Sequence, residues 1–165
     1  LDYTDVKEVK VTAFAQAYDI LFDPAKYRPE SRETADHSLP YCLAAAIVDK
    51  KITTQSFSEE MLKDPAIFEV IDKIKGEPSL EFEKMFPAKQ PSKVVITTND
   101  GRAFEEYLEY PKGDPRQPMT MLDLENKFNS LADAILNAER LSEVKDLIFS
   151  CESVSARDFM SGLVV

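Results

Sequence analysis

A chain of 165 residues with 44% hydrophobic and 30% charged residues has enough apolar content for one packed core, which excludes a disordered or fibrous chain. Its net charge of −10 excludes tracking along a nucleic-acid backbone, which requires a basic field, and leaves anion binding only to local clusters of cations. No apolar run reaches the ~20 residues a membrane helix needs, and the N-terminus lacks a signal-peptide pattern, so a soluble cytoplasmic protein is expected, or a mitochondrial-matrix one in a eukaryote.

The sequence starts at Leu1 without an initiator methionine and reads as a domain taken from a longer polypeptide. It enters an alternating segment at once: Val9, Val11 and Ala13 point one way and Lys10 and Thr12 the other, which predicts a strand. Phe14 to Phe22 shows no clean period and is read as extended. Asp23 to Arg32, with Pro24 and Pro29 among charges, reads as an irregular loop. The most apolar stretch, Ser38 to about Asp49, places Leu39, Cys42, Leu43, Ala44, Ala45, Ala46, Ile47 and Val48 all around the axis, which predicts a buried helix with Ser38 as N-cap and Pro40 in the first turn.

Ser56 to Leu62 reads as a short helix. Asp64-Pro65 announces a longer one, with Ile67, Ile71 and Ile74 on its core face and Gly76 as its stop. After a proline-punctuated loop (Pro78, Pro87, Pro91), Val94 and Ile96, the turn Asn99-Asp100-Gly101 and the run Phe104 to Tyr110 spell an antiparallel hairpin. A loop from Pro111 to Pro118 precedes Thr120 and Asp123 in capping-box spacing. Leu124, Phe128, Leu131 and Ile135 then form an amphipathic helical stripe, Leu141, Val144 and Ile148 a second, and Ser155 with Asp158 opens a terminal helix. Together these predict one α+β domain over residues 1–165: a small antiparallel sheet with a clear hairpin, packed against several helices including one buried apolar helix.

Nucleophile-elbow, P-loop, dinucleotide-binding and zinc-protease motifs are all missing from the sequence. With one histidine and two distant cysteines, Cys42 and Cys151, a zinc site is not expected, and both thiols read as small buried core groups. Chemistry-bearing residues concentrate between Lys26 and Tyr41, where Lys26, Arg28, Arg32 and His37 gather at the mouth of the apolar helix. Such a cluster favours a carboxylate ligand, while Glu30, Glu33 and Asp36 allow the plainer reading of a solvated, self-paired loop.

The run Arg32-Glu33-Thr34-Ala35-Asp36-His37-Ser38-Leu39-Pro40-Tyr41 resembles the segment that opens the C-terminal domain of MmgE/PrpD proteins. The likeness continues through Phe57, Asp64-Pro65, Lys73-Ile74, Asn99-Asp100-Gly101, Tyr110-Pro111-Lys112-Gly113-Asp114-Pro115, Pro118-Met119-Thr120 and Lys127-Phe128, in the family's order. Asp49-Lys50-Lys51 departs from the glycine turn that many relatives carry there.

The resemblance implies a lyase that needs no cofactor, built from a large helical N-terminal domain, which this chain does not contain, and this smaller domain, with the active site in the cleft between them and the full-length enzyme a homodimer. It implies a tricarboxylate substrate. Dehydration of 2-methylcitrate, in propionate metabolism, is the leading expectation, and cis-aconitate decarboxylation or iminodisuccinate epimerisation the alternatives. A non-catalytic interaction or dimerisation domain is the reading outside catalysis. His37 and Tyr41 match motif positions expected to face or support the cleft as catalytic groups, with Lys26, Arg28, Arg32 and Lys112 as substrate-binding cations. No partner base stands out, so the isolated domain is expected to be inactive.

Overall fold

The computed structural model describes residues 1–164, which fall into two compact units, Leu1–Pro118 and a second beginning at Met119. The first unit is built on strand β1 (Val6–Ala13). Val9 and Val11 are fully buried on one face, and an irregularity in pairing between Val6 and Glu8 shifts the alternation, so that Val6 joins the same core. The next segment, read from sequence as extended, is instead helix α1 (Ala15–Leu21). Phe14, Tyr18, Leu21 and Phe22 do recur at helical spacing, but the cap is remote: Phe14 offers no side-chain acceptor, and the first free N–H, of Ala15, donates to Glu83 Oε2 at 2.7 Å.

A short 3-10 turn (Pro24–Tyr27) and helix α2 (Arg32–Asp36) lead into α3 (Leu39–Asp49), the predicted buried helix, with Ser38 as its N-cap and Pro40 in its first turn. Pro40, Tyr41, Ala44 and Ala45 are buried. The small alanines let α3 lie close to α4 (Pro65–Ile71), whose Ile67, Val70 and Ile71 are also fully buried. Between them, the expected Ser56–Leu62 helix is two 3-10 turns, Thr54–Phe57 and Met61–Lys63. Lys50 adopts a left-handed φ of 61°, so the Asp49-Lys50-Lys51 turn makes its reversal without glycine.

Helix α4 ends earlier than its isoleucine spacing predicts. Ile74 is buried, but as the first residue of strand β2 (Ile74–Pro78), which pairs in parallel with β1 from Val9↔Ile74 to Ala13↔Pro78. Gly76 sits inside this strand rather than stopping a helix, because the Phe22 ring lies flush against it: a Cβ there would stand 2.6 Å from Phe22 Cδ1. A short helix, α5 (Leu80–Met85), occupies the proline-punctuated stretch and supplies the Glu83 cap of α1. The hairpin forms where predicted, from β3 (Ser92–Thr98) and β4 (Ala103–Leu108), with Gly101 at φ 87° in the turn.

The sheet order is β2-β1-β3-β4. It is therefore mixed, two antiparallel pairs and one parallel, rather than wholly antiparallel, and the α+β class holds. The parallel pair requires a long crossover, and α1 to α4 fill it.

The second unit is helical. Helix α6 (Met121–Ala132) begins at the predicted Thr120–Asp123 capping box, α7 (Ala138–Phe149) at Asn137, and α8 (Ala156–Gly162) at Ser155. Within it, Leu124 and Phe128 of α6 and Ile148 and Phe149 of α7 surround a small apolar pocket of about 160 Å³. Cys151 is exposed after α7, contrary to its expected burial, and Cys42 is half-buried; both thiols are free. No helix among the described residues is long and apolar enough to cross a membrane.

Gly76→Ala should lower the unfolding free energy of the protein by about 1–3 kcal/mol, because the buried Phe22 ring must move aside. Urea denaturation measures this, and an unchanged midpoint would remove the packing argument.

Candidate functional site

The N-terminus of α3 is held by one buried hydroxyl. Ser38 Oγ accepts the N–H of Tyr41 at 3.0 Å, closing the cap, and donates to the Lys26 carbonyl at 2.5 Å. The same oxygen thus starts the helix and ties the basic loop to it. One turn further on, Tyr41 lies entirely in the core, and its O–H donates to the Ser56 carbonyl at 2.7 Å. Its ring packs 5.9 Å from that of Phe57. Tyr41 therefore fixes the 3-10 turn that carries Phe57, and in this geometry it supports a wall rather than presenting a hydroxyl to a ligand. Burial is the main cause that pushes its phenol up to about 12, with the charges of Asp49 and Asp64 adding to it, so the group stays protonated at neutral pH.

The wall encloses an open pocket of about 800 Å³. Arg28 and Arg32 line it on one side, with Pro29, Glu30 and Ser31 between them; Phe57, Leu62 and Phe68 provide its apolar surface; Glu59 and Lys63 complete it. The Arg28 guanidinium stacks over Phe68 at 5.3 Å, donates to the Tyr27 carbonyl at 2.7 Å, and pairs with Asp72. Arg32, the first residue of α2, and Lys63, the last of its 3-10 turn, are exposed, and their charged ends have no partner among the described residues.

The six site residues read from sequence do not converge. Arg28 and Arg32 line the pocket, while Lys26, His37, Tyr41 and Lys112 do not. Lys26 contributes its backbone carbonyl to the Ser38 brace. His37 caps the end of α2 with its side chain 68% exposed and Nε2 3.7 Å from Asp36 Oδ1. Lys112 lies on the turn after β4, beside Gly113 at φ 99° and a tight Asp114–Arg116 pair whose guanidinium holds the Asp114 carboxyl down at about 2. Glu59, Lys63 and Phe68 are among the lining residues that the sequence did not single out; they lie in the stretch of turns and helix that follows the buried helix. Among the described residues there is no group of three or more side chains suited to a metal ion.

The family model for the MmgE/PrpD C-terminal domain matches residues 1–149. The chain belongs to the MmgE/PrpD family. Among curated proteins it is similar to the cis-aconitate decarboxylase of Aspergillus terreus, 28% identical over 130 residues that make up 78% of this chain and 26% of that protein. The cis-aconitate decarboxylases of Mus musculus (28% over 126 residues) and Homo sapiens (27% over 132 residues) match over 76% of this chain and 26% of their own length. The chain thus spans about a quarter of these relatives. In this MmgE/PrpD domain, the motif from Arg32 to Tyr41 does two things at once: Ser38 and Tyr41 brace the helix, and Arg32 and His37 stay at the surface.

Tyr41→Phe should cost about 1–2 kcal/mol near neutral pH by leaving the Ser56 carbonyl unpaired. A phenol whose folded value lies above its unfolded value of ~10 contributes fully below pH ~10 and loses that contribution as pH climbs toward about 12. The stability gap between the parent and Tyr41→Phe should therefore narrow across that window in pH-dependent urea unfolding. A gap that stays constant would show that the hydroxyl titrates alike in both states.

Proposed function

We propose that this domain supplies the carboxylate-binding wall of a lyase acting on a small polycarboxylate, completed by a helical partner domain of the same enzyme. The observation that carries the reading is the pocket lined by Arg28 and Arg32, an exception in a chain of net charge −10. A guanidinium fixed by stacking and pairing, next to one with no partner, is suited to receive a carboxylate with little reorganisation.

Decarboxylation of a cis-aconitate-like acid is favoured over dehydration of a 2-methylcitrate-like one, because the relatives matched over three-quarters of the chain are named as cis-aconitate decarboxylases. In that reaction the bond to one carboxylate carbon breaks, carbon dioxide leaves, the electron pair stays on the carbon skeleton, and a proton is added there. The wall holds the carboxylates that remain. His37 is the proton-transfer group this domain offers to the cleft, and Tyr41, enclosed and hydrogen-bonded, keeps the wall in place. The second proton-transfer group belongs to the partner domain.

In the full-length enzyme, Arg32→Gln should raise KM by about 10-fold or more with kcat little changed, and His37→Gln should lower kcat by about 10²-fold or more. Steady-state kinetics with cis-aconitate and with 2-methylcitrate, products identified by NMR, separates the two reactions. Turnover untouched by both substitutions would sink the proposed wall.

A further inference from the structure

The pocket contains a cation that neither the motif nor the family reading assigns. Lys63 closes the 3-10 turn Met61–Lys63, just before the Asp64 cap of α4, and its exposed side chain lines the same pocket as Arg32. Asp64 does not neutralise it: the Asp64 carboxylate accepts the Ala66 N–H at 2.8 Å as a helix cap. Arg28, by contrast, is occupied by Asp72 and by the face of Phe68. Among the basic groups of the pocket, the two with no partner among the described residues are Arg32, at the start of α2, and Lys63, beyond α3, so they reach the pocket from separate elements. Phe57, Leu62 and Phe68 also line it.

We infer that Arg32 and Lys63 form a two-point clamp for an organic acid carrying at least two carboxylates on a short carbon skeleton, with the apolar residues receiving the skeleton and Lys63 reading the second carboxylate. This rests on the proposed polycarboxylate wall and deepens it. Two carboxylates on one skeleton gain from two separated cations what a single carboxylate cannot, because the second contact is made without a second loss of translational freedom. Glu30 and Glu59 share the lining, so with Arg28 paired to Asp72 the two open cations face two carboxylates and no surplus of positive charge is left. That balance excludes general anion trapping and makes affinity depend on the number and spacing of carboxylates.

The test is calorimetric titration of the full-length protein with tricarballylate, which carries three carboxylates, and with butyrate, which carries one. The parent should bind tricarballylate saturably below about 20 mM and butyrate at least about 10-fold more weakly. Lys63→Gln should weaken tricarballylate by about 10-fold while changing butyrate by less than about 2-fold, and Lys63→Arg should restore most of the loss. Lys51→Gln, an exposed lysine outside the pocket, removes the same charge and should change neither. No saturable tricarballylate binding, or a Lys63→Gln effect equal to that of Lys51→Gln, overturns the clamp. The two readings fail differently: if Arg32→Gln weakens tricarballylate and Lys63→Gln does not, the wall stands and the clamp falls, whereas indifference to both removes the two together.

Discussion

The arrangement of this domain depends on two hydroxyls at the start of one buried helix. Ser38 Oγ caps α3 and holds the Lys26 carbonyl, and Tyr41 Oη holds the Ser56 carbonyl. Ser56 is buried, so its carbonyl would otherwise be stranded from water, at a cost of about 1–3 kcal/mol; the Lys26 carbonyl is on a half-buried residue. The brace joins three segments with no regular pairing among them: the basic loop before α2, the helix itself, and the turn bearing Phe57. The basic loop and the turn bearing Phe57 supply pocket-lining residues, and α3, which lines none of it, ties them together. A flexible surface loop could carry arginines equally well, but it would pay the entropy of fixing them each time a ligand bound.

How much of this was legible in the sequence follows the range of the interaction that decides each element. The α3 start, the Thr120–Asp123 box and the Asn99-to-Gly101 hairpin were readable because a cap or a turn is settled within three or four residues. Strand β2 was not, since Ile74 continues the period of Ile67 and Ile71, and only pairing with β1, more than sixty residues earlier, makes it extended. Helix α1 was hidden for a similar reason: its first N–H is satisfied by Glu83, far along the chain. Gly76 looked like a helix stop because its actual partner, the Phe22 ring, is likewise remote.

The site divides the same way. Arg28 and Arg32 were visible as part of a dense basic run, and the motif from Arg32 to Tyr41 leads into α3 beside the pocket that Arg28 and Arg32 line. What the motif could not tell was which of its members point outward. Tyr41 follows the cap by three residues, which places it on the inner face of a helix already buried on most sides, while His37 precedes the cap and so remains in the exposed turn. Lys63 was not legible as a lining residue because it is brought to the pocket by the packing of α3 against α4, with no local pattern to announce it.

These constraints bear on how a polycarboxylate could be held by so acidic a protein. The net charge of −10 repels anions at long range, but screening limits that repulsion to roughly 10 Å at ordinary salt, so the few groups at the pocket decide binding. There, Arg28 is paired with Asp72 and stacked on Phe68, while Arg32 and Lys63 have no partner among the described residues and share the lining with Glu30 and Glu59. Under the proposed reading, the stacked guanidinium would orient a carboxylate and the unpartnered cations would attract it. The proposed reaction would then need a proton donor from a partner domain, and on this domain His37 is exposed at the end of α2.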